Sequence, residues 1–363
     1  MLNDINPRML ILARESRGIS QTELSKRLNI SQGKLSKAEK GEQTINDQTL
    51  TDLAKELDYP NQFFFQSTPS SPVSHYYYRK KITIPKKVLA RMESNIKIFR
   101  NNIDVLMDSI ELPDYRIPTY DPSEETPEEI ARKARYILKI PSGPIENLTN
   151  ILERNGIVIV KTDLFNEKTD GLSTISDKGT HIIYLNERMP NDRQRFSLAH
   201  ELGHMIMHFD IPIDSQKVEE QADRFASEFL MPEKEIKSSL RNLSFNKLGD
   251  LKRYWKVSMR AIVRRAKDLK VLNDYEYRNF QINFSRRGMN KSEPIPLPIE
   301  KPYILNHIVN LHLTELDYSI EELARVINLN MIEFRERFIQ IESPKLKIAR
   351  NFWESTVANI GYK

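Results

Sequence analysis

His200, Glu201 and His204 stand as H-E-x-x-H inside the run Phe196-Ser197-Leu198-Ala199-His200-Glu201-Leu202-Gly203-His204-Met205-Ile206-Met207-His208. On a helix this spacing sets both imidazoles on one face, about 6 Å apart along the axis, close enough to share a metal ion. Glu201 sits one step round, where its carboxylate can act as general base toward a hydrolytic water. The pentapeptide alone also arises in unrelated helices, so the rest of a site must come from elsewhere in the chain.

That remainder lies in Val218-Glu219-Glu220-Gln221-Ala222-Asp223-Arg224-Phe225-Ala226-Ser227-Glu228-Phe229-Leu230, stopped by Met231-Pro232. Val218, Ala222, Phe225, Ala226 and Phe229 recur at helical spacing and define a buried face. Glu219 and Asp223 flank that face, four residues apart. Glu219 can complete a His, His, Glu set, and Asp223 can accept the N–H of a ligand histidine and fix its tautomer. Glu220 is the alternative third ligand, and the E-x-x-x-D spacing favours Glu219. His208 lies two turns from His200, about 12 Å along the axis, too far for one ion to bind both at ~2.1 Å. It reads as structural or as a partner of a ligand. Two histidines and a glutamate suit one zinc ion per chain, with manganese as the alternative.

The elements that must position these groups follow from periodicity and punctuation. The histidine-bearing segment reads as a helix from about residue 192 to 208, and Phe209-Asp210-Ile211-Pro212-Ile213 as the reversal before the glutamate helix. Upstream, residues 127–138 and 144–155 read as helices, the second stopped by Gly156. Ile157-Val158-Ile159-Val160, residues 170–175 and residues 181–186 read as strands, the last two joined by a hairpin turn at Asp177-Lys178-Gly179. The strand at 170–175 is the candidate edge for an extended substrate.

The run Arg195 to His204 with Ala222 to Pro232 resembles the ImmA/IrrE family of metallopeptidases, a gluzincin-like arrangement, over roughly residues 127–270. The resemblance implies metal-assisted hydrolysis of peptide bonds in a protein substrate, commonly a repressor, with Glu201 as the base and proton carrier. It also implies an oxyanion donor, for which Tyr184, His181 and Arg224 all remain open.

A second chemistry begins near the N-terminus. Residues 8–65 read as five short helices, with Ser20 and Ser31 placed as N-caps around Asn29-Ile30-Ser31, which is helix-turn-helix grammar. Residues 14–40 hold seven Lys/Arg against three Glu, and residues 41–65 hold one Lys against five acids, so only one face suits a phosphate backbone. Ile19 to Ser25 with Ile30 to Gly41 resembles the Cro/CI-type (XRE) family. It implies double-stranded DNA as partner, with Gln21, Ser31, Gln32, Lys34, Ser36 and Lys37 at the contact. The competing reading is a protein–protein adaptor.

The helix-turn-helix cadence of Leu24 to Ser31 returns at Leu251 to Ser258 and at Leu323 to Asn330. Residues 240–271 carry ten Lys/Arg against two Asp, but a structural subdomain is the favoured reading there. Glu333 and Glu336 make the third unit a poor DNA reader. A Ser/Pro linker at 66–75 precedes the basic Tyr76 to Lys81 and a long helix at about 85–109, read as a solvated connector. The strut or second DNA contact is the alternative. The acidic stretch 114–129 is a candidate to cover that helix.

The 363-residue chain has no cysteine, which excludes disulfides and thiolate-bound metals. No G-x-x-x-x-G-K or G-x-G-x-x-G loop appears, which removes ATP-driven and dinucleotide readings. No signal pattern or membrane-length apolar run is present, so a cytoplasmic location and no membrane partner are expected. The fold class expected is mainly α with a small β-sheet (α+β). Its units are an all-α reader at 1–66, a linker and basic helix at 67–116, a zincin-like domain at 117–271, and a helical domain at 272–363. The function expected is a DNA-binding regulator with a zinc endopeptidase domain acting on a repressor or regulatory partner, possible as a homodimer. The alternative is a non-proteolytic transcription factor or antitoxin-like regulator that uses the peptidase fold as sensor or scaffold.

Overall fold

The computed structural model describes residues 5–67, 84–166, 169–208, 215–290 and 292–339. The Ser/Pro linker, the basic run Tyr76 to Lys81 and the reversal Phe209 to Ile213 lie outside the described residues, the linker apart from its first two positions.

Five short N-terminal helical segments form where the caps stand. They are α1 (Pro7–Ser16), α2 (Gln21–Arg27), α3 (Gln32–Glu39), α4 (Asp47–Leu57) and a 3₁₀ turn at Asn61–Phe65. Asn6, Ser20, Ser31 and Asn46 each accept a backbone N–H of the first turn, and Glu23 closes a capping box on Ser20. Each such cap contributes about 1 kcal/mol. Asn29, at φ 51°, makes the left-handed turn between α2 and α3, a conformation asparagine tolerates.

The long helix α5 (Lys86–Leu106) is no solvated connector. Met92, Ile96, Phe99, Arg100 and Ile103 are all buried. Asn95 Nδ2 donates to Ser16 O at 2.8 Å on α1, and Arg100 reaches the sheet. The strut reading therefore replaces the connector reading, because basic charge along this helix hides an apolar and polar face that three neighbours cover. The described ion pairs of the acidic stretch lie elsewhere. Asp114 pairs with Arg116, Glu125 with Lys133 and Glu128 with Arg224.

Then come α6 (Pro127–Ile137), α7 (Leu148–Glu153), β1 (Ile157–Thr162), β2 (Gly171–Ile175) and β3 (His181–Asn186). The expected helix at 144–155 is shorter than its apolar pattern. Asn147 caps it by accepting from Asn150 N at 2.8 Å, and Gly156 ends it at φ +81°. The sheet order is β1-β3-β2, with β1 parallel and β2 antiparallel to β3, the latter pair closed by the turn at 176–180. Alternation sorts the strands between two cores. Ile157, Ile159, Ile183 and Leu185 face one, while Val158, Val160, Ile182 and Tyr184 face the other. Burial on both faces explains why β1 reads as an unbroken β-branched run. Strand β2 lies at an edge. Asn186 N donates to Asp170 O, so residues 172 and 174 share the hydrogen-bonded register with β3, and Gly171, Ser173 and Ile175 direct backbone groups away from it.

The remaining helices are α8 (Asn191–Met207), α9 (Ser215–Leu230), α10 (Glu233–Ile236), α11 (Phe245–Trp255), α12 (Met259–Asp268), α13 (Asp274–Arg286), α14 (Ile304–Thr314), α15 (Ile320–Val326) and α16 (Met331–Phe338). One core joins α6–α13 to a face of the sheet. The other joins the N-terminal helices, α5, the opposite face and α14–α16. The sheet is thus the wall between them, an α+β arrangement.

All three helix-turn-helix cadences form, with Asn29, Lys256 and Asn328 in the left-handed turn and Ser31, Ser258 and Asn330 as caps. Tertiary contacts separate them. At the start of α12 the Glu293 carboxylate accepts from Met259 N at 2.6 Å and Arg260 N at 3.0 Å. It occupies the amide cradle that a reading helix would offer to phosphate. At α16, Glu333 is bound by Arg17 of the first unit. Ser31, Gln32 and Gly33, at the head of α3, are exposed.

Candidate metal centre

The two helices that carry the site pack against each other closely, and Gly203 is what permits it. A Cβ at that position would stand 3.0 Å from Phe225 Cδ1 and 3.2 Å from Cγ. Helix α8 is anchored by Arg195, buried beside Glu300 and donating to Ile145 O at 2.7 Å. Helix α9 is anchored by Arg224, which forks onto Glu128 at 2.9 and 2.8 Å.

Across the α8–α9 groove, His200 Nε2 and His204 Nε2 stand 3.0 Å apart, and each lies 3.6 Å from one oxygen of Glu219. Ligand atoms at ~2.1 Å from a tetrahedral zinc are roughly 3.4 Å from one another. The donor chemistry and the spacing of these three groups fit such an ion, and their ligand atoms all fall within 4.8 Å. Glu220 lies outside this triangle and, like Glu219, lines the adjoining cleft. His200 Nδ1 is 2.9 Å from Asp223 Oδ1. Burial acts to lower the His200 pKa, but the bonds to Asp223 and Glu219 outweigh it and raise it to about 10 without a metal. A cation is what this cluster of carboxylates around an imidazole pair attracts.

Glu201 is buried, and Ser173 Oγ on β2 donates to its Oε2 at 2.9 Å. Gly171 brings the strand this close: a Cβ there would lie 3.0 Å from Tyr184 O and 3.3 Å from Glu201 Cγ. Beyond Glu219 and Asp223 a cleft of roughly 1010 Å³ runs past Ser197 and Arg224 to Arg260 and Tyr277.

His208 is fully buried, off the ligand triangle, 3.1 Å from His204 and 3.1 Å from Gln221. Ser173 and Gln221 were missed in the sequence. Gln221 stands two residues from Glu219 on the same helix and was open to notice, whereas nothing local marks Ser173. Of the three candidate oxyanion donors, Tyr184 lies on the other face of the sheet, edge-on to Phe99. His181 stacks on Tyr115 at 3.7 Å. Only Arg224 lines the cleft, and Glu128 holds its guanidinium.

In the N-terminal unit Ser31, Gln32 and Lys37 are exposed and Gln21, Lys34 and Ser36 half-buried. Ser31 also serves as the cap of α3. Arg14 Nε binds Glu39 Oε1 at 2.6 Å, Glu39 accepts from Gln21 at 2.7 Å, and Gln21 accepts from Gln32 at 3.3 Å. A buried ion pair thus sets the two glutamines at the head of α3, and neither of its members was singled out in the sequence.

Residues 152–267 match the family model described as the IrrE N-terminal-like domain, and residues 10–61 match that of a helix-turn-helix. Metallopeptidase ImmA of Bacillus subtilis (strain 168) is 31% identical over 126 residues, which cover 32% of this chain and 70% of that protein. No described helix is long and apolar enough to cross a membrane. With its paired site helices inside that match, the chain belongs to the ImmA/IrrE-like metallopeptidase family, carrying an XRE-type helix-turn-helix domain ahead of it.

Proposed function

We propose that this protein is a DNA-binding regulator whose central domain is a zinc-dependent endopeptidase acting on a protein, in keeping with a repressor or regulatory partner as substrate. The observation that carries the reading is the His200, His204 and Glu219 triangle with the Glu201 carboxylate beside it, under an edge strand.

His200 and His204 through Nε2, and Glu219 through a carboxylate oxygen, would hold the ion. When bound, zinc supplies the Lewis acidity that polarises an amide carbonyl and a hydrolytic water. The chain's own groups do the rest. Asp223 keeps the proton on His200 Nδ1 and so leaves Nε2 free for the ion. Ser173 restrains Glu201, whose carboxylate takes a proton from water and returns it to the leaving amine. The outward backbone groups of Gly171 and Ser173 suit an extended substrate that pairs along β2. On the DNA side, Gln21, Ser31, Gln32, Lys34, Ser36 and Lys37 are the proposed contacts, with Ser31 acting chiefly as a cap.

Elemental analysis of purified protein should find about one zinc per chain, lost in His204→Ala. Glu201→Gln should keep zinc and DNA binding and abolish cleavage of the substrate co-purified with it. Regulation that survives Glu201→Gln unaltered would overturn the proteolytic reading in favour of a scaffold.

A further inference from the structure

His204 differs from His200 in what stands behind it. The Nδ1 of His200 meets a carboxylate, Asp223, whose side chain is 57% exposed. The Nδ1 of His204 meets a second imidazole, His208 Nδ1, at 3.1 Å, and His208 Nε2 meets Gln221 Oε1 at 3.1 Å. His204, His208 and Gln221 are all buried. His208 is held in place by its position one turn beyond His204 at the end of α8, where its N–H donates to His204 O at 2.9 Å.

The two bonds admit one consistent set of protons. A neutral imidazole has one donor nitrogen and one acceptor nitrogen. His204 Nε2 faces His200 and Glu219, so as a ligand it must be the bare nitrogen, and the proton sits on Nδ1. That N–H then donates to His208 Nδ1, which must be the acceptor. His208 in turn carries its proton on Nε2 and donates to the Gln221 carbonyl oxygen, which accepts. The amide oxygen at the end of the chain, supplied by α9, fixes the tautomer of a ligand on α8 two steps away.

We propose that His208 and Gln221 are positioning residues: a neutral, buried relay that locks His204 in the Nδ1–H tautomer and sets its ring for the ion. This rests on the reading that His200, His204 and Glu219 hold zinc. It differs from the Asp223 arrangement in using no charge, so His208 and Gln221 stay buried without an unpaired ion. Because Gln221 lies on the same helix as Glu219, the relay also ties the rotation of the His204 ring to the helix that brings the third ligand.

The test compares Gln221→Met, which keeps volume and removes the acceptor, with Gln221→Glu, which keeps an acceptor oxygen. Zinc affinity of the full chain is read by chelator competition. Loss of an outer partner of a ligand histidine costs roughly 10–100-fold in metal affinity. Gln221→Met should fall in that range, and Gln221→Glu should stay within a few-fold of the unaltered chain. Equal loss in both, or no loss in either, overturns the relay. Imidazole ¹⁵N–¹H correlation spectra of the unaltered zinc-loaded chain read the tautomers directly, should the variants fail to fold. His204 protonated on Nδ1 and His208 on Nε2 supports the relay, and His208 protonated on Nδ1 overturns it. A chain that takes up no zinc at all fails the metal reading itself, a distinguishable result.

Discussion

Arg17 and Glu333, 316 positions apart in sequence, meet fork to fork, with Nη2 to Oε2 at 2.7 Å and Nη1 to Oε1 at 3.2 Å. The guanidinium also lies over the Tyr59 ring at 4.1 Å and donates through Nε to Leu57 O. Asn330 Nδ2 adds a bond to Asp58 Oδ2 at 2.8 Å. The first and third helix-turn-helix units are thereby fastened to each other, and Arg337 ties the same glutamate's helix to Asn95 of α5.

Glu333→Gln should destabilise the chain by about 2 kcal/mol, read from urea unfolding, because it leaves the Arg17 charge partly buried against an uncharged partner. The unpaired charge is what costs, so Arg17→Met with Glu333→Gln should recover part of the loss.

Gly203→Ala should cost about 1–3 kcal/mol and lower zinc content, since its methyl enters the Phe225 ring and drives α8 from α9. Gly33→Ala, inside helix α3, meets nothing within 4 Å and should raise stability by up to about 1 kcal/mol. Thermal melts and elemental analysis of the two variants check the contrast.

Acidification from about pH 6.5 to pH 4 should remove the stability that His181 contributes. Burial lowers the pKa of His181, stacked on Tyr115, from 6.5 to about 4. The unfolded chain binds the proton first across this window, so the contribution is present in full above pH 6.5 and is lost as pH drops through the folded value. His208, lowered to about 4 chiefly by burial, acts in the same direction. His181→Phe, which keeps the stack, should therefore flatten part of the slope of the urea midpoint against pH and leave the rest.

Lys34→Ala and Lys37→Ala should each weaken DNA binding across all sequences and reduce the slope of log affinity against log salt by about 1. Glu39→Gln should act differently. It loosens the ion pair with Arg14 that sets Gln21 and Gln32, so it should relax sequence preference while keeping the salt slope. Binding titrations at several salt concentrations separate the two effects.

The local rules were legible from the residues alone. Caps at Ser20, Ser31 and Ser258, the turn at Asn29 to Ser31, the hairpin turn around Gly179 and the facing of His200 and His204 depend only on bonds within about four residues. Removing His208 from the ligand set needed no more than the helix rise. Composition was a poorer guide to α5, where eight basic residues over 76–101 suggested a solvated surface. Charge on one side of a helix says little about the packing of the other.

Tertiary structure decided what depends on the rotation and crossing of helices. Glu219 rather than Glu220 meets the histidines because α9 turns that face toward α8, at a separation Gly203 allows. Ser173 reaches Glu201 only because β2 takes the edge beside β3, and Tyr184 leaves the site because strand alternation sends it to the other core. Glu293 closes the second helix-turn-helix from 34 residues away, and Arg17 binds Glu333 of the third from 316. Periodicity specifies which residues share a face. Which face meets which is a long-range choice made by burying both cores at once, and that choice set the partners of His204 and left the head of α3 exposed.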